Sequence, residues 1–219
     1  MDQFLTDADV RVLGALIEKQ ITTPDNYPLS LNALVLACNQ SSNRHPVVSY
    51  DEETVLAAIA RLRRASLVRG LQRIDSRGTK YEHTAGDALE LDDRETAVMC
   101  VLMLRGPNTV GELRTRTERL AKFATLAEIE TTLNALMARD KDPMVVRLPR
   151  KTGQKEVRYG HLLSGEVVAD DNELLSTVAP AAQAVSDDRV AILEQAVAEL
   201  QSEVGSLRRQ LEEFRKQFE

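Results

Sequence analysis

Asp51–Thr84, DEETVLAAIARLRRASLVRGLQRIDSRGTKYEHT, opens with the pattern of a helix and closes with that of a hairpin. Val55, Ile59 and Leu62 recur at helical spacing, with Leu56 beside them, so one face is apolar. Ser49 and Glu52, three residues apart, form a capping-box pair ahead of that face. From Leu67 the chain turns β-branched and Arg-rich. DSRG makes a turn in which Gly78 supplies a positive φ, and Thr79–Thr84 returns as a strand. A helix running straight into a two-stranded hairpin is the back half of a winged helix-turn-helix unit.

The same grammar recurs in Thr125–Leu163, TLAEIETTLNALMARDKDPMVVRLPRKTGQKEVRYGHLL. Thr125 and Glu128 form a capping pair, and Ile129, Leu133 and Leu136 match Val55, Ile59 and Leu62 at a constant offset of 74. A strand (Met144–Leu148), a basic turn with Gly153 and a second strand (Glu156–Leu163) follow. Tyr81-Glu82-His83 finds its counterpart in Tyr159-Gly160-His161. One supersecondary plan is used twice, which is stronger grounds for the fold than either copy alone.

Outward from these blocks, Asp7–Gln20 reads as a helix opened by Thr6 and Asp9, and Leu29–Asn39 as a second, separated from it by a DNYP turn. NQSSNRHPVVS is a long polar loop before the third helix. After the short acidic linker Ala85–Leu91, Asp92 and Glu95 cap a helix over Asp93–Arg105. It is apolar almost all round, which predicts burial on several sides, including against the first unit. Gly106-Pro107 ends it, and Thr109 with Glu112 opens the next. The fold class is therefore mainly α with small β-hairpins (α+β). Two tandem winged helix-turn-helix domains, 1–90 and 91–167, precede a flexible acidic linker, 168–187, and a heptad-repeat helix, 188–219.

That last helix carries Val190, Leu193, Val197, Leu200, Val204, Leu207 and Leu211, then Phe214 and Phe218, at alternating steps of three and four. Val at a and Leu at d favour a parallel two-stranded coiled coil, and the pairs Arg189–Glu194 and Glu203–Arg208 would attract across it. A homodimer is expected through this seam; a lone seam helix folded back on its own chain is the alternative.

Of 219 residues 43% are hydrophobic and 28% charged, an ordinary globular composition, though Trp is absent. No apolar run reaches the roughly 20 residues of a membrane helix, and MDQFLTDADV lacks the regions of a signal peptide. A cytoplasmic location follows, with Cys38 and Cys100 as reduced core thiols rather than a disulfide. The net charge of −6 argues against bulk attraction to nucleic acid. Its distribution does not: residues 164–219 carry −7, whereas Arg61–Lys80 holds seven cations against Asp75 alone.

Double-stranded DNA needs cations that meet phosphates and a helix able to enter a groove. Arg61 and Arg64 lie one turn apart, away from the apolar face, beside small Ala57 and Ala60. Arg69, Arg73, Arg77 and Lys80 crowd the wing, and Arg150, Lys151 and Lys155 form its echo in the second unit. The competing reading is a solvated charged face. The second unit's helix exposes Glu128, Glu130, Thr131 and Asn134, so backbone contact is the safer form of the hypothesis than base readout. His45, His83 and His161 make no metal signature, and no nucleophile elbow, P-loop or dinucleotide fingerprint occurs. No enzyme, cofactor or small-molecule substrate is expected.

Ile17–Val48, with IEKQITTPDNYPLSLNALVLACNQSSNRHPV, resembles the YceH-like family of bacterial proteins, as do LRGPNTVGELRTRTERL and RYGHLLSGEV. The likeness covers about residues 4–168. It implies tandem winged helices, no known catalytic role, and a suspected DNA-binding or regulatory role. It points to Asn26, Tyr27, Pro28, Asn39, Gln40, Asn43, Arg44 and Pro46 as signature residues. Asn39, Gln40 and Asn43 either cap the second helix and brace the loop, or present Arg44 to a partner. Two functions stay open: a dimeric DNA-binding regulator, and a protein-interaction adaptor built on winged helices without DNA binding.

Overall fold

The structure is a computed structural model that describes residues 4–72, 78–140, 142–150 and 156–165. The heptad segment 188–219 and linker 168–187 lie outside the described residues. By backbone proximity the chain divides into a unit of residues 1–169 and a second of 170–219; the description that follows concerns the first.

Among the described residues the architecture is mixed α/β. The first half runs α1 (Asp7–Thr22), a 3-10 turn (Pro24–Asn26), β1 (Leu29–Ser30), α2 (Leu31–Cys38), α3 (Glu52–Arg64), β2 (Val68–Leu71) and β3 (Lys80–His83). After α4 (Ala85–Ala88) the same order returns: α5 (Asp93–Arg105), β4 (Asn108–Thr109), α6 (Val110–Thr117), α7 (Leu126–Met137), β5 (Val145–Arg147) and β6 (Arg158–His161). Each half closes an antiparallel three-stranded sheet, in the orders β1-β3-β2 and β4-β6-β5. The registers correspond: Tyr81 faces Leu29 and His83 faces Val68, while Tyr159 faces Asn108 and His161 faces Val145.

Helix starts follow their capping residues. Thr6 with Asp9, Asp92 with Glu95 and Thr109 with Glu112 each close a reciprocal box. The third helix differs from expectation. Its N-cap is Asp51, whose carboxylate accepts from the Thr54 amide at 2.8 Å, rather than Ser49. Asp51 directly precedes the first helical residue and so reaches the free amides of the first turn, which Ser49 is too early to do. The second helix also starts later than its apolar pattern suggests. Leu29 and Ser30 pair with β3, and Ser30 then caps α2 through the Ala33 amide.

One continuous core joins the halves. Val12, Leu13, Leu16 and Ile17 of α1 and Ala97 to Leu104 of α5 are buried, and α1 packs on α5, α2 and α3. Full burial of each large apolar side chain contributes about 1.5–3 kcal/mol. Gly14 permits the close approach of α1 and α5. A Cβ there would stand 2.9 Å from both Cγ and Cδ2 of Leu104.

The candidate nucleic-acid interface and the buried arginine loop

The last turn of α3 carries Arg61, Arg63 and Arg64, where cations complement the negative end of the helix dipole. Their surroundings differ. Arg61 reaches back to the start of α1, where its Nε donates to Asp9 Oδ1 at 2.9 Å and its Nη2 to Thr6 Oγ1 at 3.3 Å. Asp9 is 2% exposed, so Arg61 neutralises a buried carboxylate of its own chain. Arg69 is likewise committed: it faces Glu82 across β2 and β3 and is ion-paired with it. Arg64 is exposed and donates only to the Ala60 carbonyl at 3.3 Å. Arg63 and Lys80 are exposed. Among the described residues no carboxylate pairs with Arg63, Arg64 or Lys80. Arg73, Arg77, Lys151 and Lys155 lie outside the described residues. Arg150 is exposed beyond β5.

The second unit's counterpart helix shows Glu130, Thr131 and Asn134 to solvent. Glu128 is partly occupied. It accepts from the Ala124 amide at 3.1 Å and pairs with Arg94 at 3.1 Å, while the Arg94 guanidinium lies 5.5 Å from the Phe123 ring centre.

The signature loop turns inward. Arg44 is 6% exposed. Its guanidinium forks the Glu18 carboxylate at 3.1 and 2.6 Å and also donates to the Ala37 carbonyl, the Asn43 carbonyl and Gln40 Oε1. Asn39 both donates to and accepts from the Tyr50 backbone, at 2.7 and 2.8 Å. Asn43, at φ 59°, adopts the left-handed conformation that Asn tolerates, and its Oδ1 accepts from Arg105 at the end of α5. The His45 amide donates to the Leu104 carbonyl at 2.8 Å. Buried Arg11 donates to the Pro46 and Cys38 carbonyls; burial first, then neighbouring Arg44, holds its pKa below the usual range. This geometry is the bracing alternative: the loop staples α1, α2 and α5, and Arg44 is not presented outward.

Two imidazoles sit at equivalent places in the repeat. His83 and His161 each bury an Nδ1 that has no hydrogen-bond partner. Burial pushes both down to about 4, with Glu82 and Asp87 opposing at His83 and Asp7 at His161. His83 Nε2 lies 2.5 Å from Gln20 Oε1, and its amide donates to the Tyr27 hydroxyl at 2.7 Å. Cys38 and Cys100 are buried free thiols; desolvation raises Cys38 to about 12 and Cys100 still further. Among the described residues no helix is long and apolar enough to cross a membrane.

A twice-used helix and three-stranded-sheet plan, stapled by a buried arginine loop, defines a duplicated mixed α/β protein. The chain belongs to the family described as "Protein of unknown function, DUF480", which it matches over residues 5–154. It is 50% identical over 191 residues to a UPF0502 protein of Opitutus terrae, covering 87% of this chain and 80% of that one. It is 48% identical over 197 residues to one of Pelobacter propionicus (89% of each chain), and 50% identical over 198 to one of Solibacter usitatus (89% and 92%). The resemblance to an uncharacterised bacterial family therefore holds, across both repeats and the loop.

Proposed function

We propose that this is a double-stranded-DNA-binding, regulator-like protein of the bacterial cytoplasm. Two tandem winged helix-turn-helix units would meet the phosphate backbone, and the heptad segment 188–219 would pair two chains. It acts by binding, not catalysis, and needs no cofactor. The observation that carries the reading is that Arg63 and Arg64 at the end of α3 and Lys80 at the start of β3 are exposed and have no carboxylate partner among the described residues. The element order and the strand orders β1-β3-β2 and β4-β6-β5 support the winged plan, with α3 and α7 as the helices that would face a groove. Exposed Ala57 and Ala60 on α3 leave room for close backbone approach. Arg61 and Arg69 already pair with Asp9 and Glu82 of their own chain and so rank behind Arg63, Arg64 and Lys80 as phosphate contacts.

A specific observation favours the adaptor instead. Leu36, Val47 and Leu56 are exposed at 64, 57 and 43%, and Glu52 and Glu53 open α3 with like charge to DNA. Fluorescence anisotropy with a mixed-sequence duplex at two salt concentrations separates the two. The DNA reading expects affinity to fall steeply with salt, and Arg63→Glu with Arg64→Glu to abolish binding. Milder Arg63→Gln with Arg64→Gln would lower the salt slope by about two. Undetectable wild-type binding at low salt, or a double Glu variant that binds like wild type, transfers the assignment to the adaptor. For the dimer, sedimentation of the full chain against one ending at Ser186 decides; equal monomeric mass for both removes the pairing.

A further inference from the structure

Behind the signature loop lies a small pocket of about 40 Å³, where α1, the loop, α5 and α6 converge. By volume it has room for about three waters, the footprint of one small oxyanion. Val101, Leu104 and Leu120 give it an apolar floor, and Arg105, Arg116 and Arg119 line its walls.

The charges around it do not balance. Arg105 is fixed by donating to Asn43 Oδ1, and Arg116 by donating to Asn108 Oδ1. Asn43 is a neutral amide that orients Arg105 without discharging it, whereas Arg116 is also shared with Glu112. Arg119 is exposed and has no partner among the described residues. The two carboxylates nearby are already engaged. Glu18 is forked by Arg44. Glu112 caps α6 through the Thr109 amide at 2.9 Å and is shared between Arg116 at 3.4 Å and Arg158 at 3.6 Å. The lining thus carries three guanidiniums against one carboxylate, Glu18, which Arg44 already engages. Burial, then the repulsion of Arg116, lowers the Arg105 pKa, with Glu18 and Glu112 only partly opposing.

We propose that this pocket binds the phosphoryl group of a small phosphate or phosphate monoester, gripped by Arg105, Arg116 and Arg119. A planar carboxylate satisfies one fork at a time, whereas a tetrahedral dianion offers acceptors to several forks at once and matches the surplus charge. Because the walls come from both repeats, an occupied pocket adds contacts between α1 with its loop and α5 with α6. The site stands independently of the DNA reading.

Calorimetric titration of the full chain with inorganic phosphate and, separately, glycerol 3-phosphate, against chloride of matched ionic strength, tests it. Saturable one-to-one binding is expected, weakened at least about tenfold by Arg105→Gln and by Arg119→Gln. Arg119→Gln breaks no contact among the described residues, so the test survives a misfolded Arg105→Gln. The Arg63→Glu, Arg64→Glu protein should bind phosphate as wild type does, which keeps failure here distinct from failure at DNA. Tighter binding of the ester assigns the site to an organic phosphate, and equal binding assigns it to the free ion. No saturable heat with either probe, or unchanged affinity in Arg119→Gln, overturns the proposal.

Discussion

Replacing Arg44 by Met decides whether the signature loop is a brace. The thioether chain keeps much of the packing of the arginine stem but removes its charge and all its donors. Glu18, with 13% of its side chain exposed, would lose its bidentate partner at 3.1 and 2.6 Å. The Ala37 and Asn43 carbonyls and Gln40 Oε1 would lose a donor together. Removing one member of a buried ion pair typically costs about 3–5 kcal/mol, because the other is left uncompensated. A domain of this size has only about 5–15 kcal/mol of net stability, so the loss is a large part of it. Glu18→Gln should cost less, about 1–3 kcal/mol, since Arg44 keeps its carbonyl acceptors. The double variant should cost clearly less than the sum of the two, because both singles break one interaction. Urea unfolding followed by circular dichroism measures all three. An Arg44→Met protein within about 1 kcal/mol of wild type would refute the brace and return Arg44 to the role of an outward contact.

Two further predictions concern the core and the repeated imidazoles. Gly14→Val places a branched side chain where even a Cβ meets Leu104 at 2.9 Å, so α1 and α5 must part; a loss of about 2–3 kcal/mol is expected by thermal or urea unfolding, and equal or higher stability would contradict the close approach. His83 and His161 are pushed down to about 4, whereas an unfolded histidine titrates near 6.5. Below about 6.5 the unfolded chain takes up protons that the folded chain refuses, so stability falls as pH drops toward about 4 and is unaffected above about 7. Each imidazole accounts for up to about 2 kcal/mol after allowance for its partial exposure. Unfolding measured between about pH 7 and pH 5 should show the loss, and a His83→Gln, His161→Gln protein should show less than half of it; identical slopes would remove the assignment.

Much of the architecture was legible because its signals are local. The boxes at Thr6, Asp92 and Thr109 and the apolar stretch Asp93–Arg105 lie within a few residues of the structure they determine. The correspondence of the two blocks survives as matched strand pairings, Val68 with His83 and Val145 with His161, although the strands are shifted a few residues from the helix offset of 74. What was misread depends on partners far along the chain. Leu29 and Ser30 look like a helix start until β3, some fifty residues later, arrives beside them. Arg61 looks free because Asp9 is 52 residues away, and Arg44 stays open between brace and outward contact because Glu18 lies 26 residues before it. A cation's neighbours in sequence give no hint of the carboxylate that neutralises it.

That asymmetry bears on what the loop of residues 39–46 does. Asn39 holds the loop to Tyr50, Gln40 and Asn43 hold Arg44 and Arg105, and His45 meets Leu104 through the backbone. Each of these contacts ties the first repeat together or ties it to α5. A recognition surface would instead leave its amides and cations with unfilled valences toward solvent. Through Asn43 and His45 the loop is therefore a joint between the first repeat and α5 of the second. The cations left for a polyanion stand elsewhere, at the end of α3 and in the pocket that this joint walls. On the reading proposed above, that joint would set how α3 and α7 stand relative to one another, and a ligand held in its pocket would act on both.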